Sequence, residues 1–178
     1  TQDISVYLDA TGNVSIVAAD VDNSSADNCS SVSLAIDVSA FTCADLGANT
    51  VTLTATDGSS NTSSATAIVT VLDTTSPTAI AQDISVYLDG FGSVTILAAD
   101  VDNSSADNCS TVSLAMDVST FTCADLGTNN VILTVTDGSN NTSNATAIVT
   151  VLDTTSPSAL TQDISVYLDA TGNVSIVA

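Results

Sequence analysis

The side chains able to do chemistry are few in kind. The chain carries 20 aspartates and 4 cysteines, with no glutamate, histidine, lysine or arginine in its 178 residues. Three carboxylates and two amides crowd into Asp20-Val21-Asp22-Asn23-Ser24-Ser25-Ala26-Asp27-Asn28. A loop rich in hard oxygen donors suits Ca²⁺, which takes about six to eight oxygen ligands. The EF-hand arrangement is absent, since Ser25 stands where its glycine would be and Ser31 where its glutamate would be. The competing reading is a polar loop whose Asp and Asn side chains bond their own backbone.

The composition removes other chemistries. Without His or Lys there is no Ser-His-Asp triad, Cys-His pair or Schiff base. Aspartate pairs could in principle act as acid and base, but nothing in the sequence builds a pocket around them, so no enzyme is expected. A net charge of −20 and no cation exclude a phosphate clamp and oppose contact with nucleic acid or anionic membranes. No apolar run is long enough to insert in a bilayer. There is no initiating Met and no signal peptide, so an internal or processed stretch of something longer is expected. With 44% apolar residues, the chain can bury a core, unlike an acidic tail.

An internal repeat sets the organisation. Residues 1–80 and 81–160 differ at 17 positions without a gap, and residues 161–178 repeat residues 1–18 unchanged. A period of 80 is too long for a solenoid turn and suits a small domain. The expected organisation is one module over 1–78, a second over 79–158, and the first strands of an incomplete third over 159–178, which lack most of a core.

Within a module the hydrophobic period is two. Ile4, Val6 and Leu8 alternate with polar neighbours, as do Val14, Ile16 and Ala18, then Val32, Leu34 and Ile36, then Val51, Leu53 and Ala55. Each run predicts a half-buried strand. Ala65 to Leu72 is apolar at both parities, which predicts a strand covered on both faces. Turn signals at Asp9-Ala10-Thr11-Gly12, Asp45-Leu46-Gly47 and Asp57-Gly58-Ser59 separate the runs. No stretch has helical spacing. About seven short strands per module predict an all-β fold, tandem immunoglobulin-like sandwiches arranged as beads on a string.

Such a sandwich, with Tyr7 and Phe41 as its large side chains, needs a staple. Cys29 with Cys43, and Cys109 with Cys123, are candidates, each closing a loop of about 15 residues worth roughly 3 kcal/mol. The alternative is a pair of buried free thiols. Zinc would need more ligands than two cysteines. A disulfide implies an oxidising compartment.

Sandwich topology places Asp20, Asp22 and Asp27 at the same pole as Asp57 and Asn61, and Asp9, Asp45 and Asp73 at the other. Stacking would press Asp100, Asp102, Asp107 and Asp137 of the second module against Asp73, Asp9 and Asp45 of the first. With no lysine or arginine, that junction repels itself unless cations fill it. The candidate calcium ligands are therefore Asp20, Asp22, Asp27, Asp57 and Asp73, with Asp100, Asp102, Asp107, Asp137 and Asp153 in the second repeat. The linker Leu72-Asp73-Thr74-Thr75-Ser76-Pro77-Thr78-Ala79-Ile80 is short, has no Gly and contains Pro77, which predicts a semi-rigid connection.

Several motifs resemble a known family. The stretch Gly47 to Thr62, with its Thr54-Ala55-Thr56-Asp57-Gly58 segment, followed by Ile68-Val69-Thr70-Val71-Leu72-Asp73-Thr74-Thr75-Ser76-Pro77, resembles the end of a hyalin-repeat (HYR-like) module. Together with Phe41-Thr42-Cys43-Ala44-Asp45-Leu46-Gly47 and Ala19-Asp20-Val21-Asp22-Asn23, it is similar to the tandem repeats of giant Bacteroidota cell-surface adhesins of the SprB gliding-motility type. The cysteine placement departs from animal hyalin repeats, so the resemblance implies none of their partners. The resemblance implies an extracellular filament used in adhesion or surface movement, with neighbouring repeats and other filament copies as partners. Asp73-Thr74-Thr75 and Asp153-Thr154-Thr155 also resemble an O-glycosylation acceptor of such bacteria, which implies sugar on Thr74 and Thr154. The expected function is a cation-stiffened structural stalk. The alternative is an array of carbohydrate-binding modules, against which stands the scarcity of aromatic side chains: Tyr7, Phe41 and the turn residue Phe91.

Overall fold

Alternating valine, isoleucine and threonine dictate the elements. The computed structural model describes residues 1–176. Module 1 contains strands β1 (Ile4–Tyr7), β2 (Asn13–Ser15), β3 (Ser33–Ile36), β4 (Ala40–Thr42), β5 (Gly47–Thr56) and β6 (Thr62–Leu72). A single helical turn, α1 (Ala18–Val21), follows β2. Module 2 repeats them as β7 (Ile84–Tyr87), β8 (Ser93–Thr95), α2 (Ala98–Val101), β9 (Ser113–Met116), β10 (Thr120–Thr122), β11 (Gly127–Thr136) and β12 (Thr142–Leu152).

Each module is a sandwich of two sheets. One has the order β1-β6-β5-β3 and the other pairs β2 with β4. The β5–β6 hairpin is antiparallel from Gly47↔Val71 to Thr56↔Thr62, whereas β1 runs parallel to β6, with Ile4 opposite Val69. Parallel pairing at this edge places the chain entering a module beside the strand that leaves it, as head-to-tail stacking requires. The inward residues predicted by the alternation form the core: Leu8, Ile16, Val51 and Leu53 are buried, with Phe41, Ala67, Val69 and Val71 around them. Module 2 builds its own core on Leu88, Ile96, Phe121, Val131, Leu133 and their neighbours.

Three expectations are corrected. Six strands form in each module rather than about seven. The run Val14-Ile16-Ala18 stops as a strand at Ser15, because Asp20 reaches back to accept the Val17 N–H at 2.7 Å and closes the turn α1. Strand β6 is not covered on both faces: Ala67, Val69 and Val71 point inward, while Ile68 and Leu72 stay exposed. A two-layer sandwich covers one face of each sheet, so the outward face of β6 stays open to solvent among the described residues.

Residues 161–176 carry the sequence that makes β1 and β2 in module 1, yet form no strand, and Ile164, Tyr167 and Leu168 are exposed. No described helix is long and apolar enough to cross a membrane.

Candidate functional site

Most aspartates serve the loop they sit in. The side chain of Asp9 accepts the N–H groups of Thr11 (2.8 Å) and Asn13 (3.1 Å) and the Thr11 hydroxyl. Asp57 accepts those of Ser59 and Asn61 (both 2.8 Å) and the Asn61 amide. Asp27 accepts the N–H groups of Cys29 (2.9 Å) and Ser30 (3.0 Å). Each of these carboxylates lies two to four residues before its donors, a reach that one methylene spans. Hydrogen bonds to the charged form hold these carboxyls below their ordinary value. For Asp9 the Thr11 hydroxyl is the main cause, and for Asp57 it is the Asn61 amide. Asp27 acts on Asp57 in the opposite direction, a mark of their closeness at the upper end of module 1.

The corresponding pair in module 2, Asp107 and Asp137, meets a third carboxylate. Asp73, leaving β6, brings an oxygen within 4.8 Å of theirs. Each of the three spends part of its bonding capacity locally. Asp73 accepts the Thr75 N–H at 3.0 Å. Asp107 Oδ2 accepts the N–H groups of Cys109 and Ser110, both at 2.9 Å. Asp137 accepts the N–H groups of Ser139 and Asn141, both at 2.8 Å, and the Asn141 amide at 2.8 Å. That amide also donates to the Asp73 carbonyl at 3.2 Å, across the junction.

Two oxygens remain without partners: Asp73 Oδ2 and Asp107 Oδ1 are buried with no hydrogen bond. Asp73 and Asp137 are 7% and 6% exposed, so solvent covers little of the cluster. Buried unpaired carboxylate oxygens are costly, and three like charges add to the cost. Ca²⁺–oxygen distances of about 2.3–2.6 Å place two ligands of one ion no more than about 5 Å apart. The all-oxygen donor set and its spacing fit such an ion, with Asp73, Asp107 and Asp137 as holders.

Among the other sequence candidates, Asp20 and Asp100 cap the helical turns, accepting from Val17 and Leu97. Asp22 binds the N–H and hydroxyl of Ser25, and Asp102 accepts the Ser105 N–H. These four are not brought into the cluster, because Asp20 and Asp100 turn back on the start of their helical turns and Asp22 and Asp102 on Ser25 and Ser105 of the loop that follows. Asp153, the counterpart of Asp73, accepts the Thr155 N–H at 2.8 Å. Thr74 and Thr154 are exposed.

The cysteines correct the sequence expectation. Cys43 bonds to Cys109 of the other module, with Cα atoms 5.1 Å apart, and Cys29 and Cys123 are free and exposed. Neither Cys29–Cys43 nor Cys109–Cys123 forms. Strands β3 and β4 run successively down the module between the first two, leaving Cys29 at the upper end and Cys43 at the lower. The observed bridge spans 66 residues, worth about 4 kcal/mol in the chain-entropy model against about 3 for the short loop. Gly12 makes room for it: its φ of +77° is in the left-handed region, and a Cβ there would collide with Cys43 Sγ. Cys109 packs against the core of module 1. Asn108 beside it donates to the Asp9 carbonyl at 3.3 Å. The sequence holds no sign of this choice, because every cysteine recurs with the same period.

The linker is docked too. Thr78 and Ala106 exchange backbone hydrogen bonds at 2.7 and 3.1 Å, the Asn103 N–H reaches the Ile80 carbonyl at 2.9 Å, and Pro77 is buried. Covalent, hydrogen-bonded and electrostatic contacts thus converge on one junction.

No protein-family model matches the chain, and no curated protein matches it. Among solved structures, it is similar to human mucin-like protocadherin EC1-2, at 14% identity and a TM-score of 0.40, over 85% of this chain and 96% of that one. Human protocadherin-24 EC1-2 matches at 12% identity and a TM-score of 0.44, over 85% and 95%. The fibronectin(III)-like modules of Clostridium thermocellum CbhA match at 13% identity and 0.32, over 90% and 96%. At these values the sandwich assignment rests on the chain's own strand pairing, and no family match supports the hyalin-repeat or SprB-type resemblance.

Proposed function

We propose that the chain is a structural segment of an extracellular, filamentous surface adhesin, a non-catalytic stalk whose junctions are stiffened by a divalent cation, with Ca²⁺ the best fit. The observation that carries this reading is the carboxylate cluster shared between modules, Asp73 from one and Asp107 and Asp137 from the other, with two buried oxygens unpartnered. A cation there ties module to module, and a docked linker converts that tie into a fixed angle rather than a free joint. The disulfide supports an oxidising location, and exposed Thr74 and Thr154 are accessible to sugar transfer. The −20 charge keeps neighbouring chains apart and soluble. A glycan-binding array has less in its favour, since the cleft beside the exposed Phe91 contains no second aromatic.

The test is calorimetric titration of the metal-stripped chain with CaCl₂, joined to small-angle scattering with and without chelator. The expected result is one site for the described junction and a longer, stiffer particle with calcium. Absence of binding heat together with unchanged dimensions would remove the cation from the reading.

A further inference from the structure

The free cysteines occupy the same two half-sites as the bonded ones. Residues 21–30 and 101–110 are identical, so Cys29 lies in the same decapeptide as Cys109. The local geometry is also the same. Asp27 Oδ2 accepts the N–H groups of Cys29 and Ser30 at 2.9 and 3.0 Å, as Asp107 Oδ2 accepts those of Cys109 and Ser110, both at 2.9 Å. Cys123 likewise matches Cys43 within Phe-Thr-Cys-Ala-Asp-Leu-Gly. The Cys123 thiol lies 3.7 Å from the Gly92 carbonyl, and Cys43 Sγ lies 3.6 Å from that of Gly12.

The lower end of module 2 shows what is missing from this second half-site. Cys123 lines an open cleft of about 460 Å³ with Asp89, Phe91, Gly92, Asp153 and Pro157. At the lower end of module 1, the equivalent place beside Gly12 is filled by Asn108 and Cys109. Gly92 keeps φ at +77° and, like Gly12, has no room for a side chain, since a Cβ would come within 2.7 Å of Cys123 Sγ. The cleft, the thiol and the glycine are all in place for the contact that module 1 makes.

We propose that Cys43–Cys109 is one rung of a longitudinal disulfide ladder. Cys123 takes the first cysteine of a further repeat docked on the lower end of module 2, and Cys29 is the matching donor at the upper end of module 1. Every junction between such modules then carries one disulfide and no module carries an internal one. In forming each rung, two thiols lose two protons and two electrons. A low-molecular-weight disulfide such as oxidised glutathione accepts the electrons and leaves as two thiols. The ladder rests on the equivalence of the half-sites and is independent of any bound cation.

The experiment begins with the chain itself. Alkylation without reduction is expected to label Cys29 and Cys123 and to spare Cys43 and Cys109. A lengthened chain, with a second copy of residues 81–160 inserted after Leu160, is then refolded in glutathione buffer and mapped by cleavage at aspartate and mass spectrometry. The expected result is loss of label at Cys123 and a peptide joining it to the first cysteine of the inserted copy, with Cys29 still labelled. In the same chain carrying Cys123→Ser, that cysteine of the copy is expected to remain free. Persistent labelling of Cys123, a Cys109–Cys123 or Cys29–Cys43 peptide, or any other partner for the copy's cysteine in the variant overturns the proposal. Loss of the Cys43–Cys109 peptide overturns its premise.

Discussion

Replacing Asp73 with asparagine should change stability in opposite directions with and without calcium. The asparagine can still accept the Thr75 N–H through its oxygen, the one hydrogen bond that the Asp73 carboxylate accepts. Its amide nitrogen takes the place of Oδ2, among the oxygens of Asp107 and Asp137. Two unit charges at the outer separation of 4.8 Å repel by about 3.5 kcal/mol at an effective dielectric of about 20. The substitution removes two of the three pairwise repulsions, about 7 kcal/mol of bare repulsion at that outer separation. Relaxation and water penetration reduce this, leaving an expected gain of about 1–3 kcal/mol in chelator. For modules of this size that raises the melting temperature by about 4–8 °C per kcal/mol. In calcium the order reverses. The parent chain gains about 4.1 kcal/mol when the free ion is at about a thousand times its dissociation constant, more than the whole chelator gain of the variant, and D73N loses that increment. Scanning calorimetry of both chains, in chelator and in calcium, reads all four values. If D73N melts below the parent in chelator, or retains the full calcium increment, the junction reasoning is refuted.

Other perturbations test the fold and its turns. Asp9, Asp27, Asp37 and Asp57 are held below the carboxylate value of 3.8, chiefly by the Thr11 hydroxyl, the Cys29 N–H, the Thr52 N–H and the Asn61 amide respectively. Their contribution is complete above the unfolded value and is lost as pH falls through the lower native values. The melting temperature should therefore fall below about pH 4, and a constant value down to pH 2 would contradict the assignment. Gly12→Ala should block the Cys43–Cys109 bond, through both the collision with Cys43 Sγ and the left-handed φ. Alkylation before reduction would then label all four cysteines rather than Cys29 and Cys123 alone. Phe41→Ala removes the one aromatic of the first core, 2% exposed, at a cost of about 3–5 kcal/mol. Module 1 should melt first while module 2, with Phe121 intact, keeps its own transition; a single undivided transition would show that the cores are not separate.

The strand pattern was legible because burial on one face imposes a period of two, and that signal lies within a few residues. Leu8, Ile16, Val51 and Leu53 fall inward as the alternation requires, and Tyr7 falls outward. The helical turn at Ala18–Val21 was not legible, since the hydrophobic period runs into it as far as Ala18 and its closure depends on contacts between Asp20 and Val17. Of the acidic candidates, Asp73, Asp107 and Asp137 converge, while Asp20, Asp22, Asp100 and Asp102 turn back on their own loops. Residue type is the same throughout. What differs is whether a carboxylate, after satisfying its own turn, still faces the next module.

The 18 residues that occur at both ends of the chain separate the two kinds of information. At Asp169 the side chain accepts the N–H groups of Thr171 (2.8 Å) and Asn173 (3.0 Å), the same turn that Asp9 makes. That turn closes over five residues and needs nothing else, so sequence alone determines it. Ile4–Tyr7 is a strand and the identical Ile164–Tyr167 is not, because the hydrogen bonds of the former are supplied by Val69 to Leu72 of β6. The partner of Cys43 was decided in the same way, by stacking one module's end on another's. Contacts closed within a turn are written in the order of residues; those between distant segments or modules exist only once the sheets have formed.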